Sequence, residues 1–262
     1  MAYIWGDPNY DPMAFKRLFF DIETSYYLGW FWKPSFNTTI TYDQIVKDSA
    51  IICICYKWEG SSKVNHLTWD KGDDSKMIDK FYSVINEADE VVAHNGDNFD
   101  IKWIRTRFLL RGYKSMPEIK SIDTLKISRS KFKFPSNRLD AIGKYLGFGG
   151  KEDTGGIQLW HDIIQRNSKV AMGKMLTYCK RDVELLEKVF LKLEGFSKPK
   201  THIGRFMAGD TCDCQYCGSD RTNFSRQRVS AAGMVSVAMQ CKDCYKYFSV
   251  SLKAYQNRGK RK

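Results

Sequence analysis

The sequence is organised around one stretch, Leu18-Phe19-Phe20-Asp21-Ile22-Glu23-Thr24. An apolar run ends there in two carboxylates that are separated by a single residue. In a β-strand the side chains alternate between the two faces, so Asp21 and Glu23 point the same way and Ile22 points the opposite way. Two carboxylates aimed at one spot repel each other unless a divalent cation lies between them. Taken alone, the stretch predicts either a metal site or an ordinary strand, 17–24, that ends in a polar turn.

Apolar patterns elsewhere predict an α/β fold, a mixed sheet flanked by helices. Further strands are expected at 50–58, at 63–69 as its hairpin partner, at 90–93 and at 120–124. Helices are expected around Met77–Ile85, from Asn98 to Leu110, after Pro135-Ser136, near 158–166 and from Ser168 to Leu193. The last helix has an inward stripe of Met175, Cys179, Val183, Leu186 and Phe190. Cys53, Cys55 and Cys179 lie in apolar contexts that predict plain buried thiols.

Two more acids follow the first pair at informative positions. Asp100 comes after the 90–93 strand, in His94-Asn95-Gly96-Asp97-Asn98-Phe99-Asp100, and is expected in the first turn of a helix. Asp182 lies four residues after Tyr178, a spacing that puts both side chains on one face of a helix. Each acid alone is a weak signal, since solvated helix faces are full of aspartates. Their order along the chain is the stronger signal.

This ordered set, D-x-E ending a strand, N-x-x-x-F-D and Y-x-x-x-D, resembles the tyrosine subclass of the DEDD superfamily of 3′–5′ exonucleases. The resemblance covers roughly residues 16–195 and implies a ribonuclease H-like fold. Three further stretches are similar to the proofreading domains of family B polymerases: Gln44-Ile45-Val46, Asp123-Thr124-Leu125 and Phe134-Pro135-Ser136-Asn137-Arg138-Leu139.

The resemblance implies phosphodiester hydrolysis at two Mg²⁺ or Mn²⁺ ions. By that resemblance Asp21 bridges both ions, Glu23 and Asp182 hold the ion that activates water, and Asp100 acts through the water shell of the second ion. Tyr178 is expected to orient the attacking water, because a phenol with a pKa near 10 is a poor base.

Two residues between the acids are candidates for contact with the terminal nucleotide. Asn95 and Phe99 fit that role, although an Asn that caps a turn and a Phe in the core are equally good interpretations. The aromatic loop at 26–36 is expected either to stack nucleobases or to close the sheet edge as a hydrophobic flap.

The C-terminal part contains two C-x-x-C pairs, Cys214-Gln215-Tyr216-Cys217 and Cys241-Lys242-Asp243-Cys244. Two such knuckles predict a closed, structural Zn²⁺ site with Cys214, Cys217, Cys241 and Cys244 as ligands. Cys212 is an alternative zinc ligand, but the spacing Cys212-x-Cys214 suits a knuckle less well. A polar linker begins at Ser197, so the predicted domains are 1–196 and 197–262. The second resembles the zinc ribbons of DNA-processing proteins and is expected to end in a disordered basic tail.

The net charge is +12, and residues from Ser197 onward hold 13 Lys or Arg against 4 Asp or Glu. This excess predicts that the ribbon grips nucleic acid, with a protein-docking ribbon as the alternative. The expected partners are single-stranded nucleic acid, DNA before RNA, and replication or repair proteins. The sequence has neither a membrane span nor a signal peptide, so a cytoplasmic or nucleoid-associated protein is expected. The alternatives are an RNA exonuclease and a non-catalytic nucleic-acid-binding or recruitment module.

Overall fold

The computed structural model describes residues 15–33, 38–149 and 156–258. The chain divides into two compact units. The first comprises Lys16–Lys192. The second comprises the chain from Leu193 onward together with the segment that ends at Phe15. The predicted aromatic loop lies partly outside the described residues, at 34–37, and so do residues 259–262 of the predicted tail.

The first unit is built on a mixed sheet whose centre is the strand that carries the D-x-E stretch. Among the described residues this sheet has five strands in the order β5-β4-β1-β6-β7. They are β1 Arg17–Thr24, β4 Ile51–Trp58, β5 Asn65–Thr68, β6 Glu90–Ala93 and β7 Lys120–Asp123. The central strand β1 pairs antiparallel with β4 and parallel with β6. A small separate hairpin joins β2 Leu28–Gly29 to β3 Ile45–Lys47.

Helices accompany this sheet, which confirms the predicted α/β class. They are α1 Ser75–Asn86, α2 Asp100–Leu110, α3 Thr124–Lys131, α4 Leu139–Tyr145, α5 Ile157–Ile164 and α6 Lys169–Leu193. Helix α6 buries its predicted stripe completely, and the ring of Phe190 meets that of Phe19 on β1 at 5.5 Å between centroids. The central strand and the long helix therefore share one core.

The helix expected after Pro135-Ser136 is α4, which begins at Leu139 and buries Leu139 and Ile142. Helix α3 was not predicted at all. It forms because the carboxylate of Asp123 accepts hydrogen bonds from the backbone N–H groups of Leu125 and Lys126, which caps the helix N-terminus.

The second unit contains a three-stranded antiparallel sheet in the order β10-β9-β8. Its elements are the short helix α7 Ile203–Phe206, β8 Thr222–Val229, β9 Val235–Cys241, β10 Tyr247–Ser251 and α8 Leu252–Gln256. One face of the sheet packs on a small core that includes Val237, Met239 and Phe248. Over the described residues of both units, no helix has the length and apolar character needed to cross a bilayer.

Candidate functional site

Three acids from distant parts of the first unit meet at the end of β1. Asp21 and Glu23 lie on the same face of β1, and Asp182 lies on α6. One carboxylate oxygen of each lies within 4.8 Å of one carboxylate oxygen of the others. Asp182 is buried, and the other two are partly exposed. Three carboxylates so close together repel one another strongly, so this arrangement suits a bound divalent cation.

Helix α6 reaches this point because its apolar stripe is packed against the sheet. Tyr178 lies one turn before Asp182 and is partly exposed, so the helix presents both to the same side. Between them in sequence, the buried thiol of Cys179 donates to Asp21, with its sulfur 3.5 Å from Oδ2 and 3.6 Å from the backbone oxygen. Cys179 thus links α6 directly to the first acid.

Buried cysteine residues lie next to the acids. Cys55 is the cross-strand neighbour of Asp21 on β4, and Cys53 is the neighbour of Glu23. Cys53, Cys55 and Cys179 are all buried. The prediction that they are buried is confirmed. The position of Cys53 and Cys55 beside the acids, on the same face of the sheet, follows from the β1–β4 register, which the sequence pattern does not contain.

Asp100 is held apart from the three-acid group. It is buried at the start of α2, and its Oδ1 accepts a hydrogen bond from the backbone N–H of Ile22 at 3.2 Å. Ile22 separates Asp21 from Glu23, so Asp100 lies against the same segment of β1. Burial raises the pKa of Asp100 to about 7, against the lowering effect of backbone hydrogen bonds from its own N–H and that of Ile22. A buried carboxyl with this pKa gains from a nearby positive charge.

The turn between β6 and α2 sets the position of Asp100. Asn95 adopts a left-handed backbone with φ +66°, and its backbone N–H donates to Asp123 Oδ1 at 2.9 Å. The same oxygen caps α3, so one carboxylate oxygen of Asp123 holds both the turn and the start of the helix. At Gly96 an added Cβ would lie 2.4 Å from the Cβ of Ala93, closer than real Cβ contacts. Only glycine fits there.

Gly96→Ala is therefore expected to lower the free energy of unfolding by about 1–3 kcal/mol, because Ala93 is fixed in a buried strand and cannot move aside. The matched control is Gly173→Ala on α6, where an added Cβ meets nothing within 4 Å. The control is expected to raise the stability by about 0.4–1 kcal/mol. Urea unfolding followed by circular dichroism measures both. Equal stabilities of the two variants would contradict the tight turn.

The two candidate nucleotide contacts flank this turn. Asn95 is partly buried, whereas Phe99 is 38% exposed and its ring packs edge-on against Trp103 at 6.4 Å. Phe99 is therefore not a core residue, and its exposed part is free to meet a ligand. His94, adjacent to Asn95, is fixed by contacts of its ring nitrogens with Thr124 Oγ1 and the carbonyl of Asn137, both at 2.9 Å.

In the second unit four cysteine sulfurs converge. The Sγ atoms of Cys214, Cys217, Cys241 and Cys244 lie within 4.8 Å of one another. Backbone N–H groups donate to two of them: Tyr216 to Cys214 and Asp243 to Cys241, both at 3.4 Å. Such N–H···S hydrogen bonds stabilise thiolates, the form that binds metal. The two knuckles therefore form one compact four-sulfur site.

Cys212 does not join this group. Its sulfur donates to the carbonyl oxygen of Ala254 at 3.6 Å, and the residue is completely buried. Burial raises the pKa of the Cys212 thiol to about 11. It is a packing residue of the second unit's core.

Comparisons with known proteins agree with the geometry of the first unit. Residues 18–194 match the family model described as RNase_H superfamily. A family B DNA polymerase structure from the archaeon Pyrobaculum calidifontis aligns with a TM-score of 0.54 and 14% identity. The alignment covers 83% of this chain and 31% of that one. The RNase H-like fold expected from the sequence is thereby confirmed.

Two curated relatives are DNA polymerases. One, from Thermococcus hydrothermalis, is 32% identical over 122 residues, which is 40% of this chain and 6% of the polymerase. The other, a DNA polymerase III PolC-type from Ureaplasma parvum serovar 3, is 52% identical over 54 residues, 21% of this chain and 4% of that protein. The chain thus spans only a small part of the length of these relatives.

Proposed function

Because the chain belongs to the RNase H superfamily over residues 18–194, we propose that it is a metal-dependent 3′–5′ exonuclease of the DEDD type, tyrosine subclass, acting on single-stranded nucleic acid. The observation that carries the proposal is the meeting of Asp21, Glu23 and Asp182 within 4.8 Å, although Asp182 is far from the other two in sequence. The similarity to DNA polymerases favours DNA over RNA as the substrate.

The donor set fits a hard divalent cation. Carboxylate oxygens are the ligands that Mg²⁺ and Mn²⁺ prefer, and the partly exposed positions of Asp21 and Glu23 leave room for water and a phosphate. Asp21, Glu23 and Asp182 would hold one ion. Asp21 would also bind the second ion, and Asp100 would act on that ion through its water shell. When bound, two such ions supply a deprotonated water and stabilise the leaving 3′-oxygen.

The chain's own groups position the reaction. Cys179 and the packed stripe of α6 fix the carboxylate of Asp21, so it needs no rearrangement on binding. Tyr178, on the same side of α6 as Asp182, orients the attacking water through its hydroxyl. Phe99 offers an exposed ring to the terminal base, and Asn95 offers its amide to the terminal nucleotide.

The four cysteines of the second unit fit a structural Zn²⁺ ion. Four thiolates close a tetrahedral shell and leave no open position for chemistry. Cys214, Cys217, Cys241 and Cys244 would hold the ion within a zinc ribbon, as part of a domain at 197–262 that grips the substrate. Its core is so small that the bound metal would contribute much of its folding free energy.

Hydrolysis of end-labelled substrates tests the proposal. Single-stranded DNA and RNA carrying a 5′ label are incubated with the full chain and Mg²⁺, Mn²⁺ or chelator. We expect a ladder that shortens from the 3′ end, mononucleotide products, and no reaction with chelator. Faster degradation of RNA would identify an RNA exonuclease. Binding without degradation under any metal would instead identify a non-catalytic module.

A further inference from the structure

The sheet of the second unit has one face that its core does not use. Strand pairing aligns Arg226 with Ala238 and Arg228 with Ser236, and it aligns Gln240 with Tyr247. These six residues lie on the face of the sheet away from Val237, Met239 and Phe248, because neighbours along a strand alternate faces; Ala238 among them is buried. We call them the polar sheet face.

A β-bulge puts both arginines on this face. The β8–β9 register shifts between Phe224 and Arg226, so the extra residue there reverses the alternation that follows. Without the bulge, Arg226 and Arg228 would point to the core side of the sheet. Bulges are common at sheet edges and next to functional sites, where they redirect side chains.

Within the described residues, the positive charges of Arg226 and Arg228 on the polar sheet face have no acidic partner. Strands β8, β9 and β10 contain no Asp or Glu. Among the described residues, neither Arg226 nor Arg228 has an ion pair or a side-chain hydrogen bond, and both are exposed.

Other cations of the second unit are engaged with its own groups. Arg221 pairs with Asp243 at 2.9 Å, and Lys246 pairs with Glu194. Arg258 donates to the carbonyl oxygens of Asp220 and Thr222. The two arginines on the polar sheet face are thus available to an external anion.

We propose that the polar sheet face binds the sugar-phosphate backbone of nucleic acid. Arg226 and Arg228 are two residues apart on one strand, about 6.6–6.8 Å, which is comparable to the spacing of consecutive phosphates. The small side chain of Ser236, which is partly exposed, lets the backbone approach the sheet closely. Tyr247, 58% exposed, stacks on a base. Because the arginines contact phosphates, binding is independent of base sequence.

This inference deepens the proposed function by naming the surface that grips the substrate, and it is tested without hydrolysis. The full chain carrying Asp21→Asn is titrated with a fluorescent single-stranded DNA, and anisotropy gives the Kd at about 50 to 200 mM salt. Arg226→Ala/Arg228→Ala is expected to weaken binding at least tenfold. The slope of log K for DNA binding against log salt concentration should become less negative by about 1.4, which is about 0.7 for each of the two lost phosphate contacts.

Matched variants separate this surface from general charge. Arg221→Ala removes an equally cationic but internally paired residue of the same unit, and we expect it to leave the salt slope unchanged. Tyr247→Ala should weaken binding about tenfold without changing the slope, whereas Tyr247→Phe keeps the ring and the affinity. Zinc content and circular dichroism verify that each variant is folded.

An unchanged salt slope in the double arginine variant would overturn the inference. Competition by polyglutamate as effective as that by DNA would also overturn it, because the face would then bind acidic protein.

The p-nitrophenyl ester of thymidine 5′-monophosphate separates the two proposals. Hydrolysis of this ester by the wild-type chain reports on the acid site alone, because a single nucleotide has no series of consecutive phosphates for the polar sheet face to bind. A wild-type chain that hydrolyses neither this ester nor single-stranded DNA, yet binds DNA as above, would contradict the exonuclease proposal alone.

Discussion

Asp21→Asn is expected to lower the rate of Mn²⁺-dependent hydrolysis of single-stranded DNA by about 10²–10³-fold or more, the scale of losing a preorganised electrostatic group at a reaction centre. Asparagine has nearly the same shape but no charge, so it keeps the contact with the Cys179 thiol and loses the attraction for a cation. Quantified cleavage of 5′-labelled DNA under single-turnover conditions measures this loss.

The matched control is Asp70→Asn, an exposed aspartate in the turn after β5, which is expected to leave the rate unchanged. Thermal unfolding in chelator checks the fold. Without metal, Asp21→Asn removes one of three clustered negative charges and should unfold no earlier than the wild type. A fully active and folded Asp21→Asn variant would exclude Asp21 from the reaction.

Cys214→Ser has the second large expected effect, the loss of the bound zinc and of order in β8, β9 and β10. Structural zinc contributes about 10–16 kcal/mol of apparent binding free energy in small zinc-dependent peptides, far more than the small core of this unit supplies. Metal analysis should show one zinc per wild-type chain and none in the variant. Hydrogen exchange should show protected amides in the first unit only.

Cys212→Ser is the control for this variant. Cys212 is also buried but lies outside the four-sulfur group, and a serine hydroxyl can still donate to the carbonyl of Ala254. It should therefore retain one zinc per chain and the protection of the ribbon strands. If Cys214→Ser also retained both, the four-sulfur site would not be a zinc site that supports the fold.

Elements with a clear hydrophobic period were predictable from the sequence. The alternation around Asp21 and the stripe of α6 both reflect burial against one core, and the structure has them where the pattern predicts. Helix α3 could not be predicted from a hydrophobic period, because its eight residues are mostly polar and form no apolar stripe. Its cap, Asp123, falls within the predicted strand 120–124. Short capped helices depend on local hydrogen bonds more than on burial.

Within the site, the sequence predicted that Asp21, Glu23 and Asp182 come together but not what surrounds them. Spacing alone puts Tyr178 and Asp182 on one helix face. The contact between Cys179 and Asp21 depends on how α6 packs against β1, and the position of Cys53 and Cys55 beside the acids depends on the register of β1 against β4. The direction of Arg226 and Arg228 depends on a bulge in β8. Pairing register and bulges are properties of strand pairs, so one strand's pattern does not reveal them.

Anomalous X-ray diffraction from a crystal soaked with Mn²⁺ tests the central claim most directly. The account predicts a manganese peak coordinated by carboxylate oxygens of Asp21, Glu23 and Asp182, and no such peak in a crystal of Asp21→Asn. A wild-type crystal saturated with Mn²⁺ that shows no anomalous density among these three side chains would contradict it.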